Sequence, residues 1–224
     1  MEIKVIGLGG IGSALAPFLL RYLEYSDGER HRVTLVDGDS FERQNASRQA
    51  FTALGNKAKM KAEELAPQFP GVSLRATPEY VTVENIGRVI REGDVVFLAV
   101  DNHKTRKLVS DHCTTLESVL LISGGNELTD GNVQVFHREG RDLTLPLTRF
   151  HPEIESPVDF SPADAGCEVL LQTSAPQLLF MNLAIASTML SAFYAWRQHS
   201  LSYDEVYLDL LLNKSLPVRR SAVP

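Results

Sequence analysis

The opening stretch "EIKVIGLGGIGSAL" narrows the choice of fold more than any other part of the chain. An apolar, strand-like run stops at Gly7, and a helical pattern takes over after Gly12. Gly7, Gly9 and Gly12 make a G-x-G-x-x-G turn between strand and helix, as the dinucleotide-type fold requires. Gly7 permits the tight turn, Gly9 lets phosphates approach the backbone, and Gly12 allows close contact of helix and strand. Unpaired N–H groups and the dipole at the helix start then favour an anion.

The same alternation continues downstream. "RVTLVDGD", "VSLRATPEYV", "GDVVFLAVDN" and "VLLISGGNE" read as strands that are buried on both faces. "NKAKMKAEELAPQF", "TVENIGRVIRE" and "HKTRKLVSDHCTTL" read as the helices between them. The expectation is an α/β, Rossmann-like, doubly wound and mostly parallel sheet. From residue 127 the pattern changes. "GNVQVFHREG" predicts an antiparallel strand, and the proline-rich acidic segment 146–166 a long mobile loop. A long apolar helix is expected over 174–198, and "DEVYLDLLLN" as a closing strand. The chain then reads as one domain, 1–224, with a nucleotide-binding half at 1–125 and a C-terminal antiparallel extension at 126–224.

Composition removes several classes of function. A net charge of -6 with interspersed signs leaves no basic face for nucleic acid. Two cysteines, Cys113 and Cys167, make no disulfide framework, and no signal peptide is recognisable at the start, so a cytoplasmic location is expected. The apolar segment 176–196 approaches the length of a membrane span. Gln177, Asn182, Ser187, Thr188 and Ser191 interrupt it, so it reads as a core or dimer-interface helix with no membrane involved.

"VDGDSFERQNASRQ" follows the second strand and concentrates chemistry in a loop. Asp37, at the strand end, suits either a ribose hydroxyl or a turn cap. To this point an NAD-dependent oxidoreductase and an ATP-using enzyme fit equally. Counting from Asp37, Asn45 lies eight positions on, Arg48 eleven and Gln49 twelve. NAD presents only a pyrophosphate there, whereas the triphosphate of ATP needs fixed donors and positive charge. The planar fork of Arg48 pairs two phosphate oxygens at once. Lys57 opens the next helix and can reach a phosphate, with Lys61 as the alternative. Asp101 closes the fourth strand at the carboxyl edge, where it either ligates magnesium or caps the helix near His103.

Together "GLGGIG", "VDGDSFERQNASRQ", "GNKAKMKAEELAPQFP" and "AVDNHKTRKLVSDHC" resemble the adenylating domain of the ThiF/MoeB/HesA family, which is related to the ubiquitin-activating enzymes. The resemblance implies ATP-dependent adenylyl transfer to the C-terminal carboxylate of a ubiquitin-like protein or a peptide with a terminal glycine. It implies that Asp37 holds the ribose, that Asn45, Arg48 and Lys57 hold phosphates, and that Asp101 holds Mg2+. Gly7, Gly9, Gly10, Gly12 and Gln49 complete the nucleotide contacts. Cys167 falls where some members carry a reactive cysteine, while Cys113 reads as core. A homodimer or a related partner subunit is implied too. The zinc-binding C-x-x-C pairs of many relatives are missing from the sequence, so no zinc is expected. The competing readings are a non-catalytic ATP-binding subunit and the NAD-dependent oxidoreductase.

Scattered histidines without a Ser-His-Asp set are no obstacle to such chemistry. The attacking carboxylate is already ionised at neutral pH. The difficulty is repulsion between anions, which fixed positive charge relieves.

Overall fold

A computed structural model describes residues 1–26, 28–47, 49, 51–163 and 178–220. The strand β1 (Glu2–Ile6) leads through the glycine turn into α1 (Gly10–Tyr25), and β2 (Arg32–Val36) follows. A small antiparallel pair, β3 (Ser40–Phe41) and β4 (Gly55–Asn56), precedes α2 (Lys57–Leu65). Next come β5 (Ser73–Thr77), α3 (Ile86–Val89), β6 (Asp94–Leu98) and α4 (His103–Thr115). The hairpin of β7 (Ser118–Asn126) and β8 (Asp130–Glu139) ends in the short β9 (Asp142–Leu143). Then follow α5 (Pro152–Glu155), α6 (Leu179–Arg197), β10 (Glu205–Asp209) and β11 (Lys214–Val218).

The main sheet runs β11-β10-β8-β7-β6-β1-β2-β5, with β9 paired to β8. From β7 to β5 every pairing is parallel, and from β7 to β11 every pairing is antiparallel. This is the doubly wound sheet with an antiparallel extension that the alternation predicts. All five residues of β6 are buried, as a strand flanked by β1 and β7 and covered on both faces demands. Its alternation splits the core. Val95 and Phe97 pack with Leu15, Leu19, Met189 and Phe193, whereas Val96 and Leu98 pack with Ile86, Val89 and Val109. The thiol of Cys113 lies in the second layer, where burial and the nearby Asp94 charge push its pKa up to about 12, so it is inert core.

The apolar helix starts at Leu179 rather than 174 and ends at Arg197; residues 174–177 lie outside the described residues. Met181, Ile185, Met189 and Phe193 form a buried stripe at every fourth position, packed against α1, β7 and β8. It is long and apolar enough to cross a membrane, yet this stripe is part of the protein core. The stretch expected as a loop at 146–166 contains a 3-10 turn, Leu147–Phe150, and the short α5. Leu147 and Ile154 anchor it by burial in the second core layer, an apolar signal hidden among the prolines. The helix expected from "TVENIGRVIRE" shrinks to the four residues of α3, because only Ile86, Val89 and Ile90 find a core to face. Strand β11 was not foreseen. Lys214–Val218 is exposed, carries Pro217 and lies at the sheet edge, where a proline is tolerated and apolar alternation is not needed.

At the junction of α5, β8, β10 and β11, His151 donates from Nδ1 to Glu153 and from Nε2 to Glu205, each at 2.8 Å. Arg220 and Asn132 also donate to Glu205. Burial disfavours both charged forms, but the hydrogen bonds win: Glu205 falls to about 2 and His151 rises above its ordinary value. The Glu205 contribution to stability is therefore complete above pH 4.5 and fades as pH falls towards about 2. The His151 contribution is complete below pH 6.5 and fades as pH rises through the folded pKa. Thermal melts of wild type should peak between these limits, and His151→Gln should flatten the alkaline side.

Candidate functional site

A cavity of about 1350 Å³ opens along the carboxyl ends of β1, β2 and β6 and continues over the end of β7. It lies where β1 has chain continuing to β2 on one side and β6 on the other, the switch point of a doubly wound sheet. Gly7 has φ +87°, and a side chain there would stand 2.7 Å from the Ala99 carbonyl oxygen. A Cβ on Gly12 would come within 1.9 Å of the Gly7 oxygen, so strand and helix touch as expected. Gly9 faces open space, with only Gln49 Nε2 about 4.0 Å from where its side chain would begin. Gly10 lines the cavity, but its side chain would meet Asn182 of α6 behind the turn.

The expected carboxylate stands at the end of β2. Asp37 accepts from the Leu8 amide at 2.6 Å and the Asp39 amide at 2.8 Å, which ties the glycine turn to the loop after β2. Burial pushes its pKa up to about 6, against the pull of the Lys57 ammonium. Asp39 pairs with Lys57 Nζ at 3.0 Å and accepts from the Tyr80 hydroxyl. Tyr80 in turn lies over Gly38 and lines the cavity. Asn56 caps α2 by accepting from the Lys59 amide, and its Nδ2 donates to the carbonyls of Asp37 and Asp39. That clamp presents Lys57, the first residue of α2, to the cavity.

The two candidate lysines separate cleanly. Lys57 lines the cavity, whereas Lys61 pairs with Glu64 at 2.9 Å and lies over the Phe51 ring. Asn45 lines the cavity too, though its Oδ1 is engaged by the Glu42 amide in a local cap. Gln49 is only 8% exposed and lines the cavity, and its Oε1 has no hydrogen-bond partner among the described residues. Arg48 and Cys167 lie outside the described residues.

The turn after β6 resolves the choice left open for Asp101. Asn102 caps α4 by accepting from the Thr105 amide at 2.8 Å, so Asp101 is not the cap. Among the described residues no hydrogen bond or ion pair holds the Asp101 carboxylate, which lines the cavity. Arg106 braces this turn from below, donating to the carbonyls of Val100 at 2.9 Å and Gly124 at 2.8 Å. Asp159 accepts from the amides of His103 and Lys104, so a carboxylate already sits at the α4 N-terminus. Beyond Asp101 the cavity runs past Gly125, Asn126, Gly131 and Asn132 to Tyr207 and His151.

Sequence reasoning missed Asp39, Tyr80, Asn56, Asn102 and the distal wall. Asp39 and Asn56 were visible in "VDGD" and "GNK" as polar residues beside assigned ones. Nothing local marks Tyr80 or His151, which reach the cavity only through strand order.

The sheet order and the cavity at its switch point place the protein among the Rossmann-like α/β proteins. Within that class the ThiF family matches residues 1–185, and the chain belongs to the ThiF family. It is similar to "Adenylyltransferase and sulfurtransferase MOCS3-1" of Zea mays, with 32% identity over 143 residues, which is 62% of this chain and 29% of the relative. "Sulfur carrier protein adenylyltransferase" of Thermus thermophilus is 32% identical over 140 residues, 61% of this chain and 49% of the relative. "SAMP-activating enzyme E1" of Haloferax volcanii is 30% identical over 148 residues, 64% of this chain and 49% of the relative. The chain thus spans half or less of the length of these curated relatives. Among solved structures, E. coli MccB with ATP superposes with a TM-score of 0.72 at 16% identity, over 99% of this chain and 64% of that one. That likeness is one of fold.

Proposed function

We propose that the protein is an ATP-dependent adenylyltransferase that activates the C-terminal carboxylate of a ubiquitin-like protein or a peptide as acyl-AMP, releasing pyrophosphate. The observation that carries this reading is the size of the cavity and the run of residues that line it. A pocket for a single small ligand spans about 300–1,000 Å³. This one exceeds that and runs from the glycine turn past Asp101 to the glycines of β7 and β8. A nucleotide fits the first part, and a narrow, extended tail fits the second. The matched relatives named as adenylyltransferases and an activating enzyme support the same reading.

The residues supply what the reaction needs. Asp37 accepts the ribose hydroxyls, and the amides at the start of α1 and Lys57 face the phosphates. Gln49 brings to the same end of the cavity an Oε1 that is unpaired among the described residues. The client carboxylate attacks the α-phosphorus, the bond to the bridging oxygen of pyrophosphate breaks, and the acyl-AMP anhydride remains. No proton needs to be removed from an ionised carboxylate, so this step requires no general base. Among the described residues no group of three or more His, Cys, Asp or Glu could cage a metal. Asp101, whose carboxylate has no hydrogen bond or ion pair among the described residues, fits Mg2+, which keeps waters and takes its other ligands from phosphates. When bound, the ion would neutralise phosphate charge. Cys167 is the proposed acceptor for thiol chemistry, the pair of chains a homodimer or a complex with a related subunit, and the location cytoplasmic.

ATP–pyrophosphate exchange in the presence of a peptide or small protein ending in glycine tests the proposal. Client-stimulated exchange supports it. Binding of Mg-ATP without exchange under any client returns the protein to the non-catalytic subunit reading, and NAD binding in preference to ATP returns it to the oxidoreductase.

The raised pKa of Asp37 gives an independent check. The ionised form accepts ribose hydroxyls, so Mg-ATP affinity should fall as pH drops through about 6. The stability of the free protein responds in the opposite sense: folding raises this pKa from 3.8, so the fold gains from Asp37 as pH falls below about 6. In Asp37→Asn, calorimetry should show weaker binding, with the component due to this carboxyl gone from the pH profile.

A further inference from the structure

Asn182 breaks every local rule at its position. It lies in the first turn of α6, among the buried stripe of Met181, Ile185 and Met189, and is 0% exposed. Among the described residues neither Oδ1 nor Nδ2 has a hydrogen-bond partner. An orphaned carboxamide in a dry core destabilises the fold, and leucine would both fill the space and favour the helix. Such violations collect where function needs them.

The carboxamide lies against the glycine turn. A Cβ built on Gly10 would stand 2.0 Å from Asn182 Nδ2, 2.6 Å from its Cγ and 3.0 Å from its Oδ1. Gly10 is the first residue of α1, whose opening amides have no intrahelical acceptor, and Gly10 and Ile11 line the cavity. The Gly9 carbonyl is already taken by Ser13, through its amide at 3.1 Å and its hydroxyl at 2.6 Å. A polar group thus presses on the back of the turn whose front faces the cavity.

We infer that Asn182 is a positioning residue for the glycine turn: its carboxamide pairs with the Gly9–Gly10 backbone only when phosphates hold that turn from the other side. The free protein carries the unpaired group, and the loaded protein satisfies it. Two consecutive glycines give the turn the freedom for this adjustment. Asn182 acts through the backbone and does not touch the nucleotide. The inference rests on the nucleotide reading of the cavity.

Asn182→Leu tests it, with melting temperature, Mg-ATP affinity and adenosine affinity measured side by side. The expected result is a melting temperature raised by a few degrees without ligand, Mg-ATP binding weakened about tenfold, the worth of one hydrogen bond, and adenosine binding unchanged. An unchanged ratio of Mg-ATP to adenosine affinity overturns the inference, as does a lower melting temperature without ligand, since the carboxamide would then already be satisfied. If Asn182→Leu fails to fold, the affinity ratio in Asn182→Ala decides in the same way. Wild-type protein that binds Mg-ATP while the variant keeps its ratio sinks this inference alone; wild-type protein that binds no Mg-ATP sinks the nucleotide reading and this inference with it.

Discussion

In Asp101→Ala, client-stimulated ATP–pyrophosphate exchange falls by on the order of 10²–10³-fold while the fold is untouched. The two halves of that result have separate causes. Asp101 lines the cavity in the turn that follows Leu98, the buried end of β6. On the proposed reading, Asp101 would hold a metal that neutralises phosphate charge. Yet among the described residues no hydrogen bond or ion pair depends on its carboxylate, and the α4 cap belongs to Asn102. Exposed substitutions without partners shift stability by no more than about 0.5 kcal/mol, or roughly a degree or two in melting temperature. A large loss of exchange with an unchanged melt marks a residue kept for chemistry. Exchange at wild-type levels would remove Asp101 from the site.

Arg106→Ala produces the opposite pattern, a loss of stability of about 3–4 kcal/mol. The guanidinium is 6% exposed, and burial lowers its pKa to about 10, partly offset by the charge of Asp101. Desolvation makes the cation expensive, and that cost is relieved by its removal. The larger effect is what is left behind: the carbonyls of Val100 and Gly124 lose their donor inside the fold, and a side-chain-sized void opens. The Val100 carbonyl belongs to the turn that presents Asp101, so nucleotide affinity should fall with stability. Arg106→Lys should not restore either, because one ammonium cannot reproduce a fork that spans both carbonyls. Urea denaturation reads the result as a shifted midpoint at unchanged slope. A midpoint within error of wild type would show that the brace is dispensable.

Much of the nucleotide half was legible because its requirements are local. Gly7 must adopt a positive φ and Gly12 must admit the Gly7 carbonyl, and both demands fall within a few residues of chain. The spacing from Asp37 to Asn45 and Gln49 was likewise readable, and all three line the cavity. The choice between Lys57 and Lys61 was not. Both occupy one helix, and only the clamp of Asn56 on the Asp37 and Asp39 carbonyls turns one of them towards the cavity. Gly10 lines the cavity with the other glycines of the turn, and the side chain of α6 that presses on it from behind has no local signal.

The sequence by itself determined the strand–helix alternation, the doubly wound class and the glycine turn, because periodicity and backbone freedom are properties of short segments. Tertiary structure alone decided that His151 and Tyr207 wall the far end of the cavity, that Asp39 holds Lys57, and that Asn182 lies behind Gly10. Those contacts join groups from distant parts of the chain, Gly10 near its start and Asn182 near its end being the widest apart of them. Strand register brings them together, and register is set by the packing of the whole sheet rather than by any stretch within it.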